Sequence, residues 1–127
     1  MGKKEQAAFD FVIDRLKNDE NNISILLVGS AKYKDLSDKN LSINDIDLFV
    51  IRKNQVSEQI REFSNYNGLD FDINYFSVDS AYRYIDKAER FFVKAISGPV
   101  VLFEREKISD EMIGKCKIMY ERINKKQ

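Results

Sequence analysis

Apolar residues recur along this chain with the spacings of both helices and strands. A repeat of three to four residues predicts four helices, at residues 4–18, 56–67, 80–96 and 109–125. Continuous apolar runs predict three buried strands, at residues 24–28, 46–51 and 100–103. Residues 70–76 alternate polar and apolar side chains, which predicts a fourth strand with one polar face. The polar stretch 31–44 has room for a short helix followed by a loop.

This order of elements predicts an α/β (α+β) fold. We expect a small mixed, twisted sheet of four to five strands, with flanking helices mainly on one face. The length of 127 residues is that of one ordinary domain, so a single domain over residues 1–127 is predicted.

Composition narrows the chemistry that the chain can perform. It has 21 basic and 21 acidic residues, and this zero net charge argues against binding carried mainly by nucleic-acid phosphates, although a small basic patch stays possible. The absence of histidine excludes Ser-His and Cys-His catalysis and His-ligated zinc. The single cysteine precludes an internal disulfide and predicts a reducing, cytoplasmic setting. No membrane span or signal-peptide core is expected.

Two aspartates at the start of a buried strand are the strongest functional signal. Asp45 and Asp47 lie two residues apart, and such residues point to the same face of a strand. Neighbouring carboxylates repel unless a cation lies between them, so a divalent metal is predicted here. Asp70 and Asp72 on the alternating strand are candidates for a third ligand, and Asp72 is preferred because apolar residues bracket it. The alternative is that both simply belong to an exposed strand face.

Gly29 and Ser30 end the first apolar run and form a candidate phosphate-binding turn. Glycine allows the backbone to approach a ligand closely, and the Ser30 amide and hydroxyl are donors for a phosphate oxygen. Lys32 and Lys34 follow as candidate phosphate-binding cations, although such lysines are commonly solvated loop residues. A Gly-Ser pair alone indicates only a tight turn.

The apolar strand, Gly29-Ser30, a spacer and the Asp45-Ile46-Asp47-Leu48 run resemble a minimal nucleotidyltransferase of the DNA polymerase β-like superfamily. The resemblance covers roughly residues 8–105. It implies metal-binding and catalytic roles for Asp45, Asp47 and Asp72, with Mg²⁺ or Mn²⁺ as cofactor and a nucleoside triphosphate as substrate. The spacer of fourteen residues between Ser30 and Asp45 is longer than in typical members. The arginine that often follows Gly-Ser is absent.

The resemblance leaves several biological settings open. One is a stand-alone enzyme that transfers a nucleoside monophosphate to an acceptor hydroxyl. Minimal members often work with a small helical HEPN-type protein as the antitoxin half of a toxin–antitoxin pair, so the partner itself is a possible acceptor. A third setting is a domain that keeps the fold with weakened catalysis.

Overall fold

The computed structural model describes residues 1–125, so residues 126 and 127 of the predicted domain lie outside the described part. The described residues form four α-helices, one short 3-10 helix and five strands. In chain order these are α1 Lys3–Asn18, β1 Asn22–Val28, the 3-10 helix Ser30–Tyr33, β2 Asp45–Arg52, β3 Ile60–Tyr66, β4 Leu69–Ser77, α2 Val78–Asp86, α3 Arg90–Ile96, β5 Val100–Glu104 and α4 Ser109–Lys125.

The five strands form one mixed sheet in the spatial order β3-β4-β2-β1-β5. β2 pairs with β4 in parallel, and the other three pairings are antiparallel. The predicted mixed sheet of four to five strands is confirmed. The parallel pairing sets the start of β2 beside the first half of β4, which brings together two acidic segments that are distant in sequence.

Helices cover both faces of the sheet because the side chains of β2 alternate between two apolar clusters. Ile46, Leu48 and Val50 face a cluster that contains the buried side of α1. Phe49 and Ile51 face the opposite cluster, to which α2, α3 and α4 contribute. Three of the four helices therefore share one face, as predicted, while α1 covers the other. Within residues 1–125 no helix combines the length and apolarity needed to cross a membrane.

The predicted helix at residues 56–67 is wrong, because residues 60–66 form the edge strand β3. The helical spacing came from Val56, Ile60 and Phe63, which are 108%, 40% and 68% exposed and do not enter the core. Asn67 and Gly68 have φ values of 53° and 82°, so they form a tight turn that joins β3 to β4. An Asn-Gly pair strongly favours such a hairpin, and this local preference outweighs the apparent helical spacing.

The single helix predicted over residues 80–96 is two helices, α2 and α3. The chain bends at Ala88, whose φ is 53°, and Glu89 then caps α3 by accepting hydrogen bonds from the Phe91 and Phe92 amides at 3.1 and 2.7 Å. Ser77 caps α2 by accepting a hydrogen bond from the Ser80 amide at 3.0 Å. The short helix expected within residues 31–44 is the 3-10 helix, which begins at residue 30.

Candidate active site

Gly29 lies at the end of β1 and packs directly against Asp47 on β2. Its φ of 70° and ψ of −161° belong to a region that only glycine enters without strain. A Cβ atom at this position would lie 3.0 Å from Cγ and 3.1 Å from Cβ of Asp47, and would overlap the carboxylate oxygen. The Gly29-Ser30 turn therefore brings bare backbone against the Asp47 carboxylate, and its phosphate-binding role stays a prediction.

Four carboxylates share one face of the sheet where β2 and β4 run side by side. The parallel register pairs Asp45 with Asp70 and Asp47 with Asp72. Asp72 therefore lies next to the half-buried Asp47, while Asp70 lies next to the exposed Asp45 and accepts a 2.7 Å hydrogen bond from Asn65. The structure thus brings together Asp45, Asp47 and Asp72 as the sequence predicts.

The electrostatics of this face disfavour negative charge on Asp47. Burial, followed by the charges of Asp72 and Asp45, raises the pKa of Asp47 above its ordinary value of 3.8, and Arg61 opposes this rise. A bound cation relieves this kind of repulsion, so the carboxylate cluster is electrostatically suited to one.

Arg61 on β3 is a charged residue at this site that the sequence analysis did not predict, and Lys94 on α3 is another. The Arg61 guanidinium donates two hydrogen bonds to Asp72, from Nε to Oδ1 at 3.0 Å and from Nη2 to Oδ2 at 2.7 Å. It also lies 4.6 Å from the centroid of the exposed Phe63 ring. The Asn-Gly turn signal was available in the sequence, and a hairpin assignment would have set Arg61 across from Asn74, on the same face as Asp72.

A cavity of about 500 Å³ lies between the Gly29 turn, the sheet and α3. Basic side chains line it at three points, namely Lys32, Lys94 and Arg61, together with the exposed aromatic rings of Tyr33 and Phe91. The cavity is also lined by the predicted site residues Gly29, Ser30, Asp47 and Asp72. We refer to it as the basic cavity. Lys34 is exposed and does not line it, so the structure does not bring this predicted residue to the site.

A second cavity of about 540 Å³ lies on the other side of the carboxylates. Asp45, Asp70, Asn65 and Phe63 line it, and we refer to it as the acidic cavity. Asp47 and Asp72 line both cavities. A ligand bound near Asp47 and Asp72 could therefore contact residues of both cavities.

No protein-family model and no curated protein sequence matches the chain. Among solved structures, a nucleotidyltransferase-like protein from Exiguobacterium sibiricum 255-15 aligns with a TM-score of 0.66 and 20% identity over 89% of this chain. The chain has a nucleotidyltransferase-like fold. The alignment covers 38% of the neighbour, so the chain spans less than half of that protein's length. The predicted resemblance is confirmed at the level of the fold.

The aspartates carry carboxylate oxygens, which are the type of ligand that Mg²⁺ and Mn²⁺ prefer. As the side chains stand, residues 1–125 contain no group of three or more acidic or cysteine side chains arranged to hold a metal ion. The carboxylate of Asp72 is engaged by Arg61, and its side chain is 23% exposed. The donor chemistry therefore fits a hard cation, with Asp72 directed toward the guanidinium.

Proposed function

We propose that the chain transfers a nucleoside monophosphate from a nucleoside triphosphate to an acceptor hydroxyl, releasing pyrophosphate. The observation that carries this proposal is the packing of the Gly29 turn against Asp47 beside the basic cavity. Backbone approach suits phosphate oxygens, and adjacent carboxylates suit the metal ion that accompanies a triphosphate. The nucleotidyltransferase-like fold supports the same assignment.

In this proposal the triphosphate occupies the basic cavity. Ser30 contacts phosphate oxygens, and Lys32 and Lys94 offset their negative charge. Tyr33 is 82% exposed and Phe91 is 54% exposed, and both line the cavity, so they offer flat apolar faces for the nucleobase. Stacking of this kind accepts any base, so it favours nucleotides as a class.

Asp45, Asp47 and Asp72 are the proposed ligands of Mg²⁺ or Mn²⁺. A bound ion supplies charge neutralisation at the triphosphate and acidifies the acceptor hydroxyl. Asp72 accepts the hydroxyl proton, the acceptor oxygen forms a bond to the α-phosphorus, and pyrophosphate leaves with the electrons of the broken P–O bond. The acceptor enters from the acidic cavity, because Asp72 lines both sides.

Binding and transfer are tested separately on the wild type and three isosteric variants. Nucleotide binding is measured by calorimetry with and without Mg²⁺, and transfer is measured with α-labelled triphosphates against a panel of hydroxyl acceptors that includes a helical HEPN-type protein. Asp47→Asn is expected to abolish metal-dependent binding. Asp70→Asn tests whether that residue assists Asp72. Asp14→Asn is the matched control, since Asp14 is an exposed residue of α1, across the sheet.

The proposal requires metal-dependent nucleotide binding that Asp47→Asn loses and Asp14→Asn keeps. Absence of such binding in the wild type would refute it. Equal transfer by the wild type and Asp47→Asn would also refute it, because the carboxylate would then have no part in the reaction.

A further inference from the structure

Arg61 occupies the boundary between the carboxylates and the basic cavity. Its guanidinium binds both oxygens of Asp72, and the same side chain lines the basic cavity together with Gly29 and Ser30. It comes from β3, the edge strand, and not from the segment after Gly29-Ser30 that the sequence indicates for phosphate binding. One side chain therefore reaches both a carboxylate and the space assigned to the triphosphate.

The guanidinium suits either partner chemically. Its planar fork of N–H donors matches the two oxygens of a carboxylate and the two oxygens of a phosphate equally well. Lys32 and Lys94, the other basic residues of the cavity, present only a single charged nitrogen each. Among the described residues that line this cavity, Arg61 is thus the one bidentate phosphate donor.

The ion pair between Arg61 and Asp72 is of a kind that a competing anion readily displaces. The Arg61 side chain is 54% exposed, and exposed ion pairs contribute little net stability because water and salt screen them. A triphosphate carries several negative charges, whereas Asp72 carries one, so the phosphates compete effectively for the guanidinium.

We propose that Arg61 is the principal phosphate-binding residue of the nucleotide site, and that it releases Asp72 when a triphosphate binds. Without nucleotide, Arg61 neutralises Asp72 and competes with a metal ion for its carboxylate. With nucleotide, the guanidinium turns toward the phosphates, and Asp72 becomes available as a ligand and proton acceptor. Metal binding and nucleotide binding are then coupled through a single side chain. This inference rests on the nucleotide-binding role proposed above.

The coupling predicts opposite effects of one substitution on two affinities. Arg61→Gln is expected to weaken triphosphate binding in Mg²⁺ at least tenfold, measured by calorimetry. The same variant is expected to bind Mn²⁺ more tightly than wild type without nucleotide, measured by electron paramagnetic resonance, because Asp72 has lost its competitor. Arg61→Lys keeps the charge without the fork and should lie between Arg61→Gln and wild type in both assays.

Arg15→Gln is the matched control, because Arg15 donates a 3.0 Å hydrogen bond to Glu62 on the opposite face of the sheet. It should leave both affinities unchanged, and circular dichroism checks that all variants are folded. Unchanged triphosphate binding by Arg61→Gln, or Mn²⁺ binding that weakens together with it, overturns the role of Arg61 while the proposed function stands. A wild type that binds no triphosphate overturns both.

Discussion

Replacing Gly29 by alanine tests whether the turn is built around close contact with Asp47. The substitution adds two separate penalties. The backbone at φ 70° and ψ −161° is strained for any residue with a Cβ, by about 1–3 kcal/mol. The new Cβ also meets Cγ and Cβ of Asp47 at 3.0 and 3.1 Å, which overpacks the site by about 1–3 kcal/mol. We expect Gly29→Ala to lower the free energy of unfolding by about 2–6 kcal/mol.

Gly68→Ala separates the two penalties. Gly68 has a φ of 82°, but a Cβ there meets no atom within 4 Å, so only backbone strain of about 1–2 kcal/mol applies. Urea denaturation followed by circular dichroism gives both free energies by linear extrapolation. In a double-mutant cycle, Asp47→Ala should recover part of the loss in Gly29→Ala, because it removes Cγ and the carboxylate oxygen but keeps the Cβ contact at 3.1 Å. Equal losses for the two glycine variants, with no recovery in the cycle, would refute the reasoning.

Three further predictions concern stability. The folded state raises the pKa of Asp47 above 3.8, so ionised Asp47 destabilises the fold. Asp47→Asn should therefore be more stable than wild type in metal-free buffer at neutral pH. This difference in stability should vanish as the pH falls below 3.8. A difference that persists there in urea titrations would argue against this cause. Ser77→Ala removes the cap of α2 and should cost about 1 kcal/mol in the same titrations, whereas an unchanged midpoint would mean that the cap is dispensable. Gly114→Ala in α4, where a Cβ meets no atom within 4 Å, should raise stability by about 0.5–1 kcal/mol, and destabilisation would contradict the open space found there.

The sequence predicts the central strands well, because strands that are buried on both faces carry apolar residues at nearly every position. Between Asp47 and its last residue, Arg52, β2 is apolar on both faces, so Asp45 and Asp47 stand out at its start. Their meeting with Asp72 follows from the parallel pairing, which needs only the polar face of β4 to be identified. The core of the candidate site was therefore predictable from a few strongly constrained residues.

The periphery of the site was not predictable in the same way, because an exposed strand accepts polar and apolar residues at any position. β3 buries none of its seven residues fully, and its apolar residues imitate a helical repeat by chance. Because β3 is not predicted as a strand, the position of Arg61 beside Asp72 is not predicted either. The division of α2 from α3 depends on a positive φ at Ala88, a conformation that this residue type rarely adopts and that its sequence does not signal.

The position of Arg61 on an edge strand has a consequence for local unfolding. Among the strands that the structure describes, β3 pairs with β4 alone, whereas β2, which carries Asp45 and Asp47, is paired on both sides. Amide protons of β3 should therefore exchange with deuterium sooner than those of β2, since local opening there disrupts few contacts. Substitutions in β3 can therefore change the position of Arg61 while β2, with Asp45 and Asp47, stays folded. The fold thus places the acidic pair on a buried, doubly paired strand and the arginine on an exposed edge that opens more easily.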